Sequence, residues 1–279
     1  MDKIKILVCC HKPGNFYQDE VYTPIHGGKA ISNVDLGILG DDTGDNISAK
    51  NKRYCETTVL YWAWKNLKDV EYIGLNHYRR KFKTHITQDN IDKLMDGKDI
   101  ILVKTGNSPR PIMDLLHNLT CLEDICIFID TILEIYPEYR ESIINYYYAN
   151  NKLIPFQMFV TRKSEFEKYA QFLFNILFRV EDRIHPTQYT RLNRNIAYMG
   201  EFLLGLYCIH NKLKIKYLEM EGECQDNRPL PMRICGYIRN ELAFKMLRRP
   251  HRIPAYLGAI PGLKEDNIHL PNIFKNETD

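Results

Sequence analysis

The chain has 279 residues, 44% of them hydrophobic and 26% charged, which is ordinary for a globular protein with a sizeable core. Its formal net charge of +3 is too small to favour nucleic acid as a partner. No apolar run approaches the roughly 20 residues of a membrane-spanning helix. The apolar run at the N-terminus is too short for a signal peptide, so we expect a cytoplasmic protein.

The eight cysteines fit that expectation. Cys9 and Cys10 are adjacent, Cys121 and Cys126 lie close together, and the others are scattered. No Cys-x-x-Cys pair occurs, and no histidine lies near the cysteines at zinc-binding spacing. We therefore expect reduced structural thiols and no zinc site.

The first predicted strand is Lys5–Cys10, and His11 and Lys12 follow it. Nucleotide-binding α/β folds begin to hold their ligand at the end of this strand, so His11 and Lys12 are candidate phosphate or base contacts. A solvated turn is the alternative. The loop at 22–29 contains two glycines but matches neither a Walker loop nor a Gly-x-Gly-x-x-Gly fingerprint, which argues against kinases and nicotinamide-dependent dehydrogenases.

An aromatic helix is predicted next, because Leu60, Tyr61, Trp64 and Leu67 recur at helical spacing. The side-chain oxygens of Asp45, Asn46 and Ser48 are predicted to cap its N-terminus. The apolar run 72–75 that follows is typical of a central parallel strand. In open α/β sheets ligands bind beyond the carboxyl ends of such strands, which is where 76–80, Asn-His-Tyr-Arg-Arg, would lie.

The remaining pattern continues an α/β fold. Predicted elements are a short helix at 91–95, a strand at 99–103, a helical region at 111–150 broken at 136–137, a strand at 156–160 and an amphipathic helix from 164 to about 180. Glu201 directly precedes an apolar run. It is either the N-terminal residue of a helix, favoured by the dipole, or a carboxylate held at a cleft for proton transfer.

A basic segment at 239–252 interleaves cations with apolar residues. Its cations are Arg239, Lys245, Arg248, Arg249 and Arg252. Such a pattern is typical of a peripheral contact with anionic lipid, and a solvated helix face is the alternative.

Two features of the central stretch favour a nucleotide-sugar site. Each guanidinium of the Arg79-Arg80 pair can donate two parallel hydrogen bonds to phosphate oxygens, which suits a diphosphate. Asp45 and Asn46 suit ribose or sugar hydroxyls. The alternative is that both arginines form surface ion pairs of little energetic value.

The segments GDNISAKNKRYCETTVLYWAWKN and YIGLNHYRRKF resemble a bacterial family of capsular and O-antigen polysaccharide glycosyltransferases. The resemblance extends from 11–13 through the loop at 24–28 to 200–204. It implies an α/β, GT-A-like (Rossmann-type) fold with a mixed, mainly parallel sheet flanked by helices and a helical acceptor-side and C-terminal extension. One domain over 1–279 is expected, with a donor-binding half at 1–110, an acceptor half at 111–238 and a basic extension at 239–279.

The resemblance also implies roles for individual residues. Glu201 would be the catalytic base, and His117 and Gln157 would lie on the acceptor side. The donor-binding set would be His11, Lys12, Asp45, Asn46, Asn51, Glu56, His77, Tyr78, Arg79 and Arg80. Gln157 and Phe202 depart from the family pattern, where Asn and Arg are common, and both departures concern the acceptor side.

GT-A enzymes commonly hold the diphosphate through a divalent metal bound by an Asp-x-Asp motif at a strand end. Here that place carries His77, Arg79 and Arg80, while Asp41 and Asp42 are merely adjacent. Fixed cations can replace a metal by stabilising the leaving diphosphate. Metal-independent chemistry is therefore expected, with Mn²⁺ or Mg²⁺ near His77 and Asp45 as the alternative.

The expected function is transfer of a sugar from a UDP-sugar, with galactose in furanose or pyranose form, to a lipid-linked glycan acceptor. The context would be capsular, O-antigen or exopolysaccharide synthesis by an inverting enzyme on the inner face of the cell membrane. The alternatives are a nucleotide-sugar-binding protein without transfer activity and, disfavoured by the missing phosphate loop, a phosphoryl-transfer enzyme. Fold alone does not separate them.

Overall fold

The structure is a computed structural model that describes residues 2–185, 187, 189–190, 192–247, 262–263, 265–271 and 273. Its strands are β1 (Asp2–Cys10), β2 (Tyr22–His26), β3 (Leu39–Gly40), β4 (Val70–His77), β5 (Arg80–Phe82), β6 (Ile100–Val103), β7 (Phe159–Arg162), β8 (Ile215–Leu218) and β9 (Met220–Gly222). Its α-helices are α1 (Asn51–Tyr54), α2 (Thr57–Asn66), α3 (Ile91–Met95), α4 (Ile112–His117), α5 (Leu122–Ile135), α6 (Arg140–Ile143), α7 (Lys163–Arg183), α8 (Asn195–His210) and α9 (Leu230–Leu247).

The strands form one mixed sheet in the order β3-β2-β1-β4-β7-β6-β8. The pairs β3–β2, β2–β1, β1–β4 and β6–β8 are parallel, whereas β7 is antiparallel to both β4 and β6. Two short strands extend this path, since β5 pairs with the end of β4 and β9 pairs with β5. The predicted α/β fold, a mainly parallel mixed sheet with flanking helices, is confirmed.

The chain divides into two compact units. Unit 1 consists of the described residues of Met1–Thr105, Ile154–Phe174 and Lys212–Asp226, and it contains the whole sheet. Unit 2 consists of the described residues of Gly106–Leu153, Asn175–Asn211 and Asn227–Asp279, and its regular structure is helical. Unit 1 thus draws on three separate stretches, because β7, β8 and β9 complete a sheet that begins at the N-terminus.

One core cluster of unit 1 lies on one face of this sheet. Alternate residues of β1 and the middle of β4 point into it, as the period of two along a strand requires. Fully buried members are Ile4, Ile6, Val8, Tyr22, Tyr72, Phe82, Ile101 and Val160. At about 25 cal/mol per Å² of buried apolar surface, side chains of this size are the main stabilising contribution.

Two sequence-based expectations about local structure are wrong. The strand expected at 156–160 begins only at Phe159, because Phe156 and Gln157 have φ angles of 69° and 50° and cannot extend a strand. The expected caps of the aromatic helix serve elsewhere. α2 begins at Thr57 after Glu56, without a side-chain cap, while the Asn46 side chain accepts a hydrogen bond from the Ser48 N–H.

The position of Glu201 in its helix contradicts one of the two interpretations of this residue. α8 begins at Asn195, so Glu201 lies in its second turn, and the first turn contains no acidic residue. The interpretation of Glu201 as the dipole-favoured first residue of a helix is therefore wrong. No helix among the described residues combines the length and apolar character needed to cross a bilayer.

Candidate functional site

A cleft of about 300 Å³ opens in unit 1 at the carboxyl ends of β1 and β4. Because these strands are parallel neighbours, with Cys9 opposite His77, their carboxyl ends meet at one edge of the sheet. The residues that line the cleft are Val8, Tyr17, Asn76, His77, Tyr78, Arg79, Arg80, Lys81, Glu221 and Gly222. The structure thus places the predicted His-Tyr-Arg-Arg segment in a concave, solvent-accessible site.

The arginine pair belongs to the turn between β4 and β5, in which His77 pairs with Arg80. The Arg79 Nη1 atom lies 3.0 Å from a carboxylate oxygen of Glu223, and both side chains are close to half exposed. The Arg80 Nε atom donates to the Glu223 carbonyl oxygen at 3.2 Å, and its guanidinium lies 4.3 Å from the centre of the Phe156 ring. The surface ion pair considered from the sequence is present for Arg79, whereas contacts with backbone and an aromatic ring position Arg80.

The end of β9 is shaped around these two arginines. Gly222 has a φ of 111°, and a Cβ atom there would lie 2.2 Å from the Arg79 carbonyl oxygen, so only glycine fits. The next residue, Glu223, donates its backbone N–H to that same carbonyl at 2.9 Å. The backbone of Arg79 is therefore held by a segment more than 140 residues further along the chain.

The backbone is strained at Phe156, whose ring contacts the Arg80 guanidinium, and at the next residue, Gln157. Phe156 and Gln157 both adopt positive φ angles, a conformation that costs about 1–3 kcal/mol at each non-glycine residue. The Phe156 carbonyl accepts a hydrogen bond from the His77 Nε2 atom at 2.6 Å. A carbonyl oxygen can only accept, so Nε2 carries the proton in this contact. The strained pair is thus tied to the strand end that carries the arginines.

A buried carboxylate organises the neighbouring loop at the carboxyl ends of β2 and β3. Asp41 is fully buried and accepts hydrogen bonds from the backbone N–H groups of Gly28 and Lys29 at 2.9 and 3.1 Å. The hydroxyls of Ser48 and Thr58 also donate to it, each at 2.5 Å. These donors satisfy the hydrogen-bonding capacity of the Asp41 carboxylate. Its structural role is therefore to link β2, the Gly40–Glu56 loop and α2.

Several predicted donor-binding residues lie in this loop. The Asn51 amide donates to the Cys55 carbonyl and to the Thr58 hydroxyl, and its side chain packs over Gly28. Asp45 accepts from the Tyr61 hydroxyl at 3.1 Å. The structure therefore uses the Asn51 amide to shape the loop and leaves the Asp45 and Asn46 side chains largely at its surface.

Three further predicted residues lie near the end of β1. The His11 ring meets the Tyr78 ring edge-on, with centroids 5.2 Å apart, so His11 contacts a residue that lines the cleft. Lys12 is exposed. Burial raises the pKa of the Cys9 thiol well above its usual value, and the neighbouring Glu56 carboxylate adds to the shift. Glu56 thus lies beside the carboxyl end of β1.

The residues expected on the acceptor side belong to different units. Gln157 lies in unit 1, fully buried, and accepts from the Thr57 hydroxyl at 3.3 Å. His117 and Glu201 lie in unit 2, on α4 and α8, and both are partly buried. Burial lowers the pKa of the His117 imidazole, an effect opposed by Asp114.

The strand end combines cations with their carboxylate partners. Within the part of the chain that the structure describes, no three His, Cys, Asp or Glu side chains lie close enough to hold a metal ion. The acids nearest the cleft, Glu221 and Glu223, pair with Lys81 and Arg79 at 3.0 Å. Both carboxylates therefore have a cationic side chain as their partner.

Asn76 was expected at this strand end but was given no role there, and sequence reasoning missed Tyr17, which lines the cleft, and Glu223, which pairs with Arg79. Tyr17 lies in an irregular stretch, and Glu223 reaches the site only through the pairing of β5 with β9. Asn76 had a usable signal, because it is the one polar residue in the apolar strand segment 72–76. On that ground it could have been named as a candidate binding residue.

Comparison with known proteins places this fold and cleft in context. No curated protein matches the chain at a significant level. Among solved structures, the apo structure of the WbbM bifunctional glycosyltransferase is similar, with a TM-score of 0.73 and 30% sequence identity over 82% of this chain and 47% of that one. The chain thus spans about half the length of that protein. A family model described as a domain of unknown function matches residues 5–212, about three quarters of the sequence. The chain belongs to this family, the domain of unknown function DUF4422.

Proposed function

We propose that the chain is a glycosyltransferase that moves galactose, in furanose or pyranose form, from a UDP-sugar to a lipid-linked glycan. The observation that carries the proposal is the Arg79-Arg80 pair in a cleft at the carboxyl ends of β1 and β4. The 30% identity to a glycosyltransferase over 82% of the chain supports the reaction class. The synthesis of capsular, O-antigen or exopolysaccharide is the proposed context.

In this proposal the arginines bind the diphosphate of the donor and stabilise its charge as it leaves. The exposed ion pair between Arg79 and Glu223 does not prevent this. Exposed pairs contribute about 0–1 kcal/mol, whereas a hydrogen bond to a charged group contributes about 1.5–3 kcal/mol. A diphosphate can therefore share or replace the Glu223 carboxylate as the partner of Arg79.

The acceptor hydroxyl needs a base, since it is a very weak acid that attacks the anomeric carbon as the leaving bond breaks. We assign this role to Glu201, with His117 and Gln157 on the acceptor side. One carboxylate that takes the proton during a single displacement gives inversion at the anomeric carbon. His11, Lys12 and Tyr78 complete the donor side in this scheme, together with the loop of Asp45, Asn46, Asn51 and Glu56.

A nucleotide-sugar screen by thermal shift tests the donor. UDP-galactose is expected to stabilise the chain, by about 2.7 kcal/mol at a ligand concentration 100 times its Kd. GDP- and dTDP-sugars at the same concentration serve as controls for non-specific diphosphate binding. Equal stabilisation by all three classes would contradict UDP specificity, and no stabilisation by any would contradict the proposed function.

Metal independence is a separate prediction. If the arginines replace a divalent ion, release of UDP from UDP-galactose should continue in excess chelator at close to its original rate. Chelator should also leave the thermal shift by UDP unchanged. Turnover that disappears in chelator and returns with Mn²⁺ would contradict the assignment of the arginines as the only cations at the diphosphate.

We also propose that α9 lies on an anionic membrane surface. The helix face that carries Glu241 is turned to the rest of unit 2. There the Glu241 carboxylate accepts hydrogen bonds from the Asn107 and Asn151 amides at 2.8 and 3.1 Å. A neighbouring face of the helix is apolar, with Ile238, Leu242 and Met246 exposed by 52, 57 and 85%.

The charges of α9 suit the same surface. Glu241, the one acid of the helix, is occupied by amide contacts, whereas Arg239 and Lys245 are exposed. A cation near an anionic membrane contributes about 1 kcal/mol. Arg248, Arg249 and Arg252, which the sequence also assigned to this surface, lie outside the described residues.

Sedimentation with vesicles that contain anionic lipid tests this surface. Replacing Ile238, Leu242 and Met246 together by Ser should release the chain from the vesicles while UDP binding is retained. The matched control replaces two exposed apolar residues elsewhere, Ile31→Ser and Val34→Ser, and should remain bound. A parent chain that does not sediment with the vesicles would contradict the membrane proposal.

A further inference from the structure

Asn76 is a polar side chain among apolar neighbours. It lies on the same face of β4 as Tyr72 and opposite Val8 of β1, which belongs to the core of unit 1. Its side chain is fully buried and borders the cleft. Neither its Nδ2 nor its Oδ1 atom has a hydrogen-bond partner among the described residues.

Such an arrangement is costly for the folded protein. An amide taken from water without a replacement hydrogen bond costs about 1–3 kcal/mol on the scale of protein mutants. Asn76 leaves both a donor and an acceptor in that condition. The buried Thr161 side chain of the same sheet avoids the cost, since its hydroxyl donates to the Asp99 carbonyl at 2.7 Å. Groups left unpaired at a cleft wall are typical of binding sites, where a ligand supplies the partners.

We propose that Asn76 binds a neutral part of the nucleotide-sugar, accepting a hydrogen bond through Oδ1 and donating one through Nδ2. This inference rests on the proposed function and names a further binding residue for it. The matching chemistry is a group that offers a donor beside an acceptor, either neighbouring sugar hydroxyls or the N3–H and O4 edge of uracil.

The position of Asn76 relative to the arginines supports a neutral ligand group. Arg79 is close to half exposed and can meet the charged diphosphate at the mouth of the cleft, whereas Asn76 lies on its fully buried wall. A charged group at that wall would lose its hydration. The neutral Asn76 amide would not supply an opposite charge to compensate for that loss. A hydroxyl pair or a base edge loses less and gains two hydrogen bonds.

The first measurement separates a binding role from a structural one. Asn76→Leu replaces the unpaired amide by an apolar side chain of similar size, so its urea midpoint should equal or exceed that of the parent. Thr161→Val is the matched control; it removes a buried hydroxyl that has a partner, and its midpoint should fall. A midpoint for Asn76→Leu that falls as far as the control would overturn the inference.

The second measurement is calorimetric binding of UDP and of UDP-galactose. Asn76→Leu should weaken UDP-galactose binding by about tenfold or more, because a ligand group loses its partners on a dry wall. Asn76→Ala, which adds no bulk, should show the same loss. A loss confined to UDP-galactose assigns the sugar hydroxyls, and a loss shared by UDP assigns the base; both support the inference.

The failures can be told apart. If the parent binds UDP-galactose and both Asn76 variants bind it equally well, the inference is wrong and the proposed function stands. If the parent binds neither UDP nor UDP-galactose, the proposed function is wrong, and so is the ligand assigned to Asn76.

Discussion

Replacing Glu201 by Gln is expected to lower the rate of sugar transfer by at least about 100-fold while UDP-sugar binding is retained, since general-base help contributes about 10²–10⁴-fold. Gln keeps the size of the side chain and its position in the second turn of α8, and it removes only the proton acceptor. The measurement is the rate of UDP release with acceptor present, together with calorimetry of UDP-galactose.

Two other acids serve as controls for this variant. Asp182 is exposed on α7, and Glu219 lies between β8 and β9, within 4 Å of Lys83 and Lys104. Asp182→Asn and Glu219→Gln should both retain the parent rate. Transfer by Glu201→Gln at close to the parent rate would show that the base is another residue and that Glu201 has a structural part in α8.

Replacing Arg80 by Ala is expected to weaken UDP binding by about 1.5–3 kcal/mol, the range for hydrogen bonds to charged groups. Three contacts hold the guanidinium in place, with the Glu223 carbonyl, the Cys224 Sγ atom and the Phe156 ring, so little side-chain freedom is lost when a phosphate binds. Arg80→Lys should recover little of the affinity, because an ammonium group does not reproduce the planar pair of donors.

The matched control for Arg80 is Arg162→Ala. Arg162 also donates to a backbone carbonyl, that of Lys98, and lies 5.6 Å from the centre of the Tyr72 ring, but it is not a cleft residue. Its loss should leave UDP affinity unchanged. If both Arg79→Ala and Arg80→Ala bind UDP as tightly as the parent does, the diphosphate lies elsewhere.

Local patterns predicted the framework of this site well. The apolar run of β4 and the spacing of α2 are determined by residues close together in sequence, so both elements were predicted near their observed bounds. The position of the arginines beyond β4 followed from a general rule for parallel sheets. These features depend on periodicity and on the direction of strands, which a single sequence shows directly.

Long-range contacts account for what was missed. The delayed start of β7 depends on the positive φ angles of Phe156 and Gln157, where the carbonyl of Phe156 meets His77. The role of Asp41 depends on donors from the loop after β2 and from α2 that the fold brings together. No local pattern reports such partners, because each is far away in sequence.

A crystal structure of the chain with UDP-galactose would show directly whether the arginine pair binds the diphosphate. The diphosphate should lie within hydrogen-bonding distance of the Arg79 and Arg80 guanidinium groups. The cleft at the ends of β1 and β4 should hold the rest of the donor, with a neutral group at the Asn76 amide. A diphosphate bound away from both arginines, or through a divalent ion held by carboxylates, would contradict that role of the arginine pair.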